Sequence, residues 1–173
     1  PTCVALPSWA LDDLPGRFHD SQLAMSFEKQ KRAKQLIVER ARRLRHSGLL
    51  EPADATATAE NPSCGDLVLL SLRLCPASQY LAAVNCAARG CVLCTVSADL
   101  MAEVLHGRTS HQALELGKAF VALLSGATEP SSQDPALECL RPLAGMRVRA
   151  RCILLPWRAL EEALGQIQAA DHS

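Results

Sequence analysis

A turn at residues 61–66, Asn-Pro-Ser-Cys-Gly-Asp, places a thiol and a carboxylate two residues apart, directly before the apolar run 67–74. Asn-Pro and Gly are strong turn signals, and a short apolar run bounded by turn residues favours a β-strand over a helix. The turn therefore offers Cys64 and Asp66 at the start of a strand. A functional site here depends on which other side chains the fold brings to this turn.

The composition fits one domain with a single core. A chain of 173 residues is long enough to bury a core but too short for two full domains. The formal net charge is +0 at pH 7, so no global field favours nucleic acid or an anionic membrane. Hydrophobic residues make up 49% of the chain and aromatic residues only 3%. A core of Leu, Ala and Val favours helices packed on a small sheet.

The N-terminal third divides into three predicted segments. Residues 1–24 lack sustained periodicity and are predicted to be an irregular extension, followed by one domain over residues 25–173. Residues 26–45 have an apolar stripe at helical spacing and a basic outer face, which predicts a helix with Ser26 as its N-cap. Residues 49–60 are rich in Ala and Thr and are predicted to be a linker.

The middle of the chain alternates apolar runs with turn signals. Residues 67–74 and 80–87 predict the two strands of a hairpin. Helical spacing continues over residues 91–105, which puts Cys91 in or near the first turn of a helix. A further helix that runs to about residue 124 is predicted to follow a cap at Thr109 or Ser110.

The C-terminal region is predicted to contribute a third strand and a closing helix. Apolar residues alternate with three arginines over residues 146–154, which predicts a strand with Cys152 on its apolar side. Pro156 fits the first position of a helix, since proline is preferred there. Cys152 is therefore expected where a strand meets a helix.

Eight cysteines are many for a chain of this length. The N-terminal residues lack the basic start and unbroken apolar stretch of a secretory signal, and no segment reaches the ~20 apolar residues of a membrane span. These features predict a soluble protein of the reducing cytoplasm. Thiols in that compartment more often bind metals or act in catalysis than form disulfides.

Three of these cysteines, Cys64, Cys91 and Cys152, abut predicted turns. The intervals between them are too long for a zinc knuckle, so any shared site must be assembled by the fold. With Asp66 they could complete a tetrahedral Zn²⁺ site, and three thiolates could instead hold one edge of an iron-sulfur cluster. The alternative is three separately buried cysteines, which spacing alone does not exclude.

Three stretches occur in a recognisable order: residues 61–66, then Gly-Cys at 90–91 followed by Ser-Ala-Asp-Leu-Met at 97–101, then Arg-Cys-Ile-Leu-Leu-Pro-Trp-Arg-Ala-Leu-Glu at 151–161. They resemble the signatures of the NifU/IscU family of iron-sulfur cluster assembly proteins. The resemblance covers about residues 25–164. The long interval before the third stretch, and Arg151 in the place of a histidine in IscU, resemble the SufU type.

The resemblance implies an α+β domain with a three-stranded antiparallel sheet and helices on one face. It implies a scaffold or sulfur carrier that accepts sulfur from a PLP-dependent cysteine desulfurase of the SufS kind and serves acceptor apo-proteins. The alternative within the family is a zinc-dependent sulfurtransferase that activates the desulfurase without holding a cluster. By resemblance the metal ligands are Cys64, Asp66, Cys91 and Cys152. Cys64 is then the expected sulfur acceptor.

Cys94 forms a C-x-x-C pair with Cys91, which elsewhere indicates redox chemistry or metal binding. The family usually has a small residue without a thiol at this position. Two interpretations stay open at this stage: a spare ligand or sulfur relay, and a packed small side chain.

Overall fold

A three-stranded antiparallel sheet with helices packed against one face forms this α+β fold. The computed structural model describes residues 17–76, 80–125, 134–144 and 146–171. The described elements, in chain order, are α1 (Arg17–Ala41), β1 (Ala55–Asn61), β2 (Asp66–Leu74), β3 (Leu81–Arg89), α2 (Val92–Leu105), α3 (Ser110–Leu124), a 3₁₀ helix (Pro135–Leu143) and α4 (Arg147–Asp171). Within these ranges, no helix combines the length and apolar character needed to cross a membrane.

The sheet has the order β1-β2-β3, with β2 in the centre. Side chains alternate between the two faces of a strand, and cross-strand neighbours such as Ala57, Leu70 and Cys86 share the buried face. Asn61 pairs with Asp66 where β1 turns into β2. Because both are on that buried face, the turn between them lies at the end of the core.

The position of the first strand corrects the prediction of a linker over residues 49–60, since residues 55–61 form β1. This segment alternates in burial but contains no large apolar residue, so its pattern gives almost no hydrophobic signal. Ala55 and Ala57 are buried beneath α4. Small side chains let the helix approach the strand closely, a benefit that only the packed structure reveals.

The C-terminal region corrects a second prediction, because residues 147–154 are helical and Pro156 lies inside α4. The alternating pattern is misleading here: Val148, on the apolar side of the predicted strand, is 81% exposed. Burial follows a helical period instead. The buried side chains of α4 are Cys152, Ile153, Leu155, Pro156, Trp157, Ala159, Leu160, Ala163 and Leu164.

The remaining helix and strand predictions agree with the structure except at the start of α1. The hairpin strands and the helix after Cys91 are confirmed, and Thr109 is the N-cap of α3 in a capping box with Gln112. Helix α1 begins at Arg17 and passes through Ser26 without a cap there. The prediction of an irregular extension is therefore wrong for residues 17–24, which are helical. Residues 1–16 lie outside the described residues, and the domain boundary at residue 25 stays a prediction.

Candidate functional site

The hairpin between β1 and β2 presents Cys64 at its tip. The carbonyl of Asn61 accepts the backbone N–H groups of Cys64 (3.2 Å) and Gly65 (2.9 Å), and its side-chain Oδ1 accepts the N–H of Ser63 (3.2 Å). Gly65 has φ of +72°, the left-handed region that favours glycine. These bonds close a tight turn and leave the Cys64 thiol exposed.

Helix α4 brings Cys152 to this turn from the other end of the chain. The Cys152 and Cys64 sulfurs are 3.6 Å apart, and the Asn61 amide donates to the Cys152 sulfur at 3.8 Å. Both thiols are free, and a disulfide would need about 2.05 Å. Cys152 is only 8% exposed, in contrast to Cys64. The site therefore contains one accessible sulfur and one buried sulfur, which are not bonded to each other.

Asp66 completes a compact group of donors. The ligand atoms of Cys64, Asp66 and Cys152 all lie within 4.8 Å of one another. Asp66 is 3% exposed, and its Oδ1 accepts the backbone N–H of Cys91 at 3.1 Å. Among the described residues, its buried Oδ2 has no hydrogen-bond partner. A buried carboxylate oxygen without a partner is costly, so Asp66 is a candidate to bind a metal ion or a water molecule.

Gly90 makes room for this carboxylate. A Cβ atom at residue 90 would lie 2.5 Å from Asp66 Oδ1, which is far below normal contact distance. The absence of a side chain at this position therefore allows β3 to end directly against Asp66. Gly90 also precedes Cys91, so the same residue lets the N-terminus of α2 approach the site.

The electrostatics of the group favour a charged carboxylate and a neutral thiol. Burial would raise the pKa of Asp66, but nearby Cys152 and the N–H and thiol of Cys91 outweigh it and hold that pKa below its ordinary value. Burial, followed by the neighbouring Asp66 and Cys64, raises the pKa of Cys152 well above that of a free thiol. Without a metal ion, Cys152 is therefore a protonated thiol beside a carboxylate.

Cys91 lies at the edge of the group rather than within it. It is exposed and is the N-cap residue of α2, and its side chain makes no capping hydrogen bond. Of the described residues, only the other three predicted ligands fall in the 4.8 Å group. Even so, Cys91 affects the pKa values of Asp66 and Cys152, so its side chain is near both.

A buried hydrogen-bond relay fixes α4 beside α2 and thereby positions Cys152. The Ser97 hydroxyl donates to the carbonyl of Ile153 at 2.6 Å and accepts from Trp157 Nε1 at 3.3 Å. Proline at position 156 lacks an N–H, so it cannot bond the carbonyl of Cys152 four residues earlier. The first buried turn of α4 is therefore held partly by contacts to α2.

Two residues of the site, Asn61 and Gly90, received no role from sequence reasoning. The signal for Asn61 was its place before a proline at a strand end, where its side chain can bond the turn. Gly90 appeared only as part of the Gly-Cys stretch at 90–91. The contact of Asn61 with Cys152 and that of Gly90 with Asp66 could not be predicted, because each joins residues that are far apart in the sequence.

Cys94 is buried with 0% exposure, one helical turn after Cys91. Burial, followed by the electrostatic effect of nearby Asp66, Cys91 and Cys64, raises the pKa of its thiol to about 12. Cys94 is thus a neutral thiol beneath the site.

Residues 32–169 match the family model described as the NifU-like N-terminal domain. The chain belongs to the NifU-like N-terminal domain family. This match, over most of the chain, confirms the resemblance drawn from the three stretches. The iron-sulfur cluster scaffold family to which it belongs includes proteins named IscU and SufU.

Two curated relatives illustrate the two kinds of protein in this family. The chain is 27% identical over 138 residues to the iron-sulfur cluster assembly scaffold protein IscU of Streptococcus pyogenes serotype M1, covering 79% of this chain and 85% of the relative. It is 25% identical over 139 residues to the zinc-dependent sulfurtransferase SufU of Bacillus subtilis strain 168, covering 80% and 92%.

Solved structures of the NifU-like family share the fold. The candidate SUF-system scaffold protein of Fervidobacterium islandicum AW-1 superimposes with a TM-score of 0.68 and 27% identity, covering 75% of this chain and 93% of that one. The NifU-like N-terminal domain of Brucella abortus gives a TM-score of 0.70 with 22% identity, covering 78% and 92%. The fold class expected from the sequence is therefore confirmed.

Proposed function

We propose that this protein accepts sulfur from a PLP-dependent cysteine desulfurase and serves as the scaffold on which an iron-sulfur cluster is built for acceptor apo-proteins in the cytoplasm. The observation that carries the proposal is the convergence of Cys64, Asp66 and Cys152 within 4.8 Å, with Cys91 at the edge of the group. These residues come from a hairpin and from two helices. A purely structural core would not require a buried carboxylate with an unpartnered oxygen at their centre.

Cys64 is proposed as the sulfur acceptor because it is exposed at the hairpin tip while Cys152 is buried. Its thiolate attacks the terminal sulfur of a persulfide on the desulfurase cysteine. A new sulfur-sulfur bond forms on Cys64, the sulfur-sulfur bond on the desulfurase breaks, and the desulfurase cysteine leaves as a thiolate. The product is a persulfide on Cys64.

The four proposed ligands of the cluster differ in strength and access. Cys152 provides a buried sulfur, and Cys91 provides an exposed one at the N-terminus of α2. Asp66 is a harder donor than a thiolate and a weaker ligand for iron. An exchangeable ligand suits a cluster that has to be handed on, because release then requires only one weak bond to open first.

The same donors fit a Zn²⁺ ion. Two thiolates at about 2.3 Å from a tetrahedral metal lie about 3.8 Å apart, close to the 3.6 Å between the Cys64 and Cys152 sulfurs. The unpartnered Oδ2 of Asp66 is available as a further ligand. Bound zinc would keep Cys64 and Cys152 deprotonated at neutral pH. This fit favours a second candidate function, a zinc-dependent sulfurtransferase that stimulates the desulfurase without holding a cluster.

Transfer of ³⁵S from labelled cysteine through the desulfurase tests the role of Cys64. We expect label on the wild-type chain and on Cys139→Ala, a matched control that removes a half-buried thiol in the 3₁₀ helix. Cys64→Ala should carry none. Retention of label by Cys64→Ala at the wild-type level would remove Cys64 from this role.

Anaerobic reconstitution with iron, sulfide and desulfurase separates the two candidate functions. A visible charge-transfer absorbance that depends on Cys64, Cys91 and Cys152 supports the scaffold. Faster desulfurase turnover with a colourless, zinc-containing protein supports the sulfurtransferase. Elemental analysis of the isolated protein identifies the resident metal in either case.

A further inference from the structure

The first turn of α2 carries a dithiol. Cys91 is its N-cap residue, with extended backbone angles (φ −70°, ψ 159°), and Cys94 occupies the third helical position. The N–H and hydroxyl of Thr95 both donate to the Cys91 carbonyl at 3.1 Å, which closes the turn. Residues three apart on a helix have Cβ atoms roughly 5–6 Å apart, against about 3.8 Å in a disulfide, so bond formation requires the N-terminus of α2 to close by about 1–2 Å.

The two thiols differ in access as a redox pair requires. Cys91 is exposed beside the persulfide acceptor site, while Cys94 has 0% exposure directly beneath it. In dithiol chemistry the accessible cysteine attacks first, and its buried partner resolves the mixed disulfide. Cys94 is outside the proposed ligand set, so oxidising it costs no metal ligand other than Cys91.

The proposed function creates a need for two electrons. A persulfide delivers sulfur in the zero-valent state, whereas the bridging sulfur of an iron-sulfur cluster is sulfide. We propose that Cys91 and Cys94 form a dithiol that reduces the persulfide on Cys64 and releases sulfide at the site. This inference rests on the proposed role of Cys64 as the acceptor, and it adds a reductive step to that role.

The reaction balances in two steps. The Cys91 thiolate attacks the Cys64 sulfur of the persulfide, and HS⁻ leaves with the electron pair of the broken sulfur-sulfur bond. Cys94 then gives up its proton and attacks the Cys91 sulfur of the mixed disulfide as a thiolate, and the departing Cys64 thiolate takes up a proton. The products are one sulfide, one reduced Cys64 and one disulfide between Cys91 and Cys94. A dithiol reductant of the thioredoxin class restores the pair by ordinary exchange.

Sulfide release without an added reductant tests the inference. The reduced chain is loaded with inorganic polysulfide, freed of excess reagent anaerobically, and assayed for sulfide and for disulfides by peptide mass. We expect up to one sulfide per persulfide, matched by a disulfide between Cys91 and Cys94. Cys91→Ser should keep its persulfide and release less than about a tenth of the wild-type sulfide, whereas Cys94→Ser should release sulfide but stop at the mixed disulfide between Cys64 and Cys91. Cys86→Ser, another buried thiol, should behave as wild type.

Two results would overturn the inference: a loaded wild-type chain that releases sulfide without the Cys91 and Cys94 disulfide, or one that keeps its persulfide. The wild-type disulfide map needs no substitution, so the test holds even if Cys94→Ser folds poorly. Loading with polysulfide bypasses the desulfurase. If polysulfide-loaded chain releases sulfide but the desulfurase transfers none, the proposed function fails while the dithiol chemistry stands.

Discussion

Two aspartates, Asp66 and Asp99, are each 3% exposed but have opposite surroundings. Asp99 Oδ1 accepts the backbone N–H groups of Arg45 (2.7 Å) and His46 (2.8 Å), and its Oδ2 accepts from Arg40 Nε. Within the part of the chain that the structure describes, Asp66 has one bonded oxygen and one oxygen without a partner. The carboxylate of α2 is thus satisfied by the protein, whereas the carboxylate of β2 is not.

The difference separates a structural carboxylate from a candidate ligand. Asp99 joins α2 to the end of α1 and the segment after it, and Arg40 also bonds Glu103. Burial would lower the pKa of Arg40, but the hydrogen bonds that its guanidinium donates to Glu103 and Asp99 outweigh burial and raise that pKa. Removal of the Asp99 carboxylate would leave several donors unsatisfied. Removal of the Asp66 carboxylate would leave only the N–H of Cys91 without its acceptor, and this group lies beside solvent.

The largest expected effect is on the stability of Asp99→Ala. Loss of a buried, paired carboxylate should lower the free energy of unfolding by about 3 kcal/mol or more. Asp66→Ala should change the stability of the metal-free protein by less than about 1 kcal/mol, since it removes an unpartnered oxygen with the bonded one. Urea denaturation of both variants measures the difference, and equal losses would abolish the distinction between the two aspartates.

Ser97→Ala breaks the relay that positions Cys152. Without the hydroxyl, the Ile153 carbonyl and the Trp157 indole N–H lose buried partners, at a cost of about 2 kcal/mol. Ser125→Ala, which removes an exposed hydroxyl bonded to the Val121 carbonyl, should stay within about 0.5 kcal/mol of wild type. The same denaturation assay compares them, and a neutral Ser97→Ala would show that α4 needs no such brace.

Asn61→Ala tests the site around Asp66 and Cys152 through its affinity for zinc. The amide lies 3.8 Å from the Cys152 sulfur and can stabilise its thiolate form once a metal binds. Loss of such an outer donor typically weakens metal binding about tenfold. Competition with a chelator measures the affinity. An unchanged affinity, with the turn still folded, would confine Asn61 to shaping the hairpin.

A smaller effect concerns Cys86, a core thiol far from solvent. Burial, with the nearby Cys94 and Asp99, raises its pKa from 9.0 to about 12. The pKa of Cys86 is higher in the folded protein than in the unfolded protein. The neutral thiol therefore contributes stability that is complete below pH 9 and is lost as the pH rises toward 12. By pH 10 wild type should lose about 1 kcal/mol more than Cys86→Ala relative to pH 8. If the free energies of unfolding of wild type and Cys86→Ala changed with pH in parallel, Cys86 would not titrate as a buried thiol.

Predictions from the sequence succeeded where local pattern and packing agree. The apolar runs of β2 and β3, the helix after Cys91 and the cap at Thr109 all have signals within a few residues of where they act. They failed for β1, whose small residues carry no hydrophobic pattern, and for the start of α4, whose alternating arginines imitate a strand. In both failures, tertiary contacts outweigh the local signal.

The sequence by itself determined the family and the turn that holds Cys64 and Asp66, and it indicated the candidate ligands. Only the tertiary structure decided that Cys152 comes to the site on a helix, 3.6 Å from Cys64, and that Asp66 keeps an unpartnered oxygen. The physical reason is that turn and capping preferences act between near neighbours. Distances between sulfurs 88 positions apart depend on how every intervening element packs.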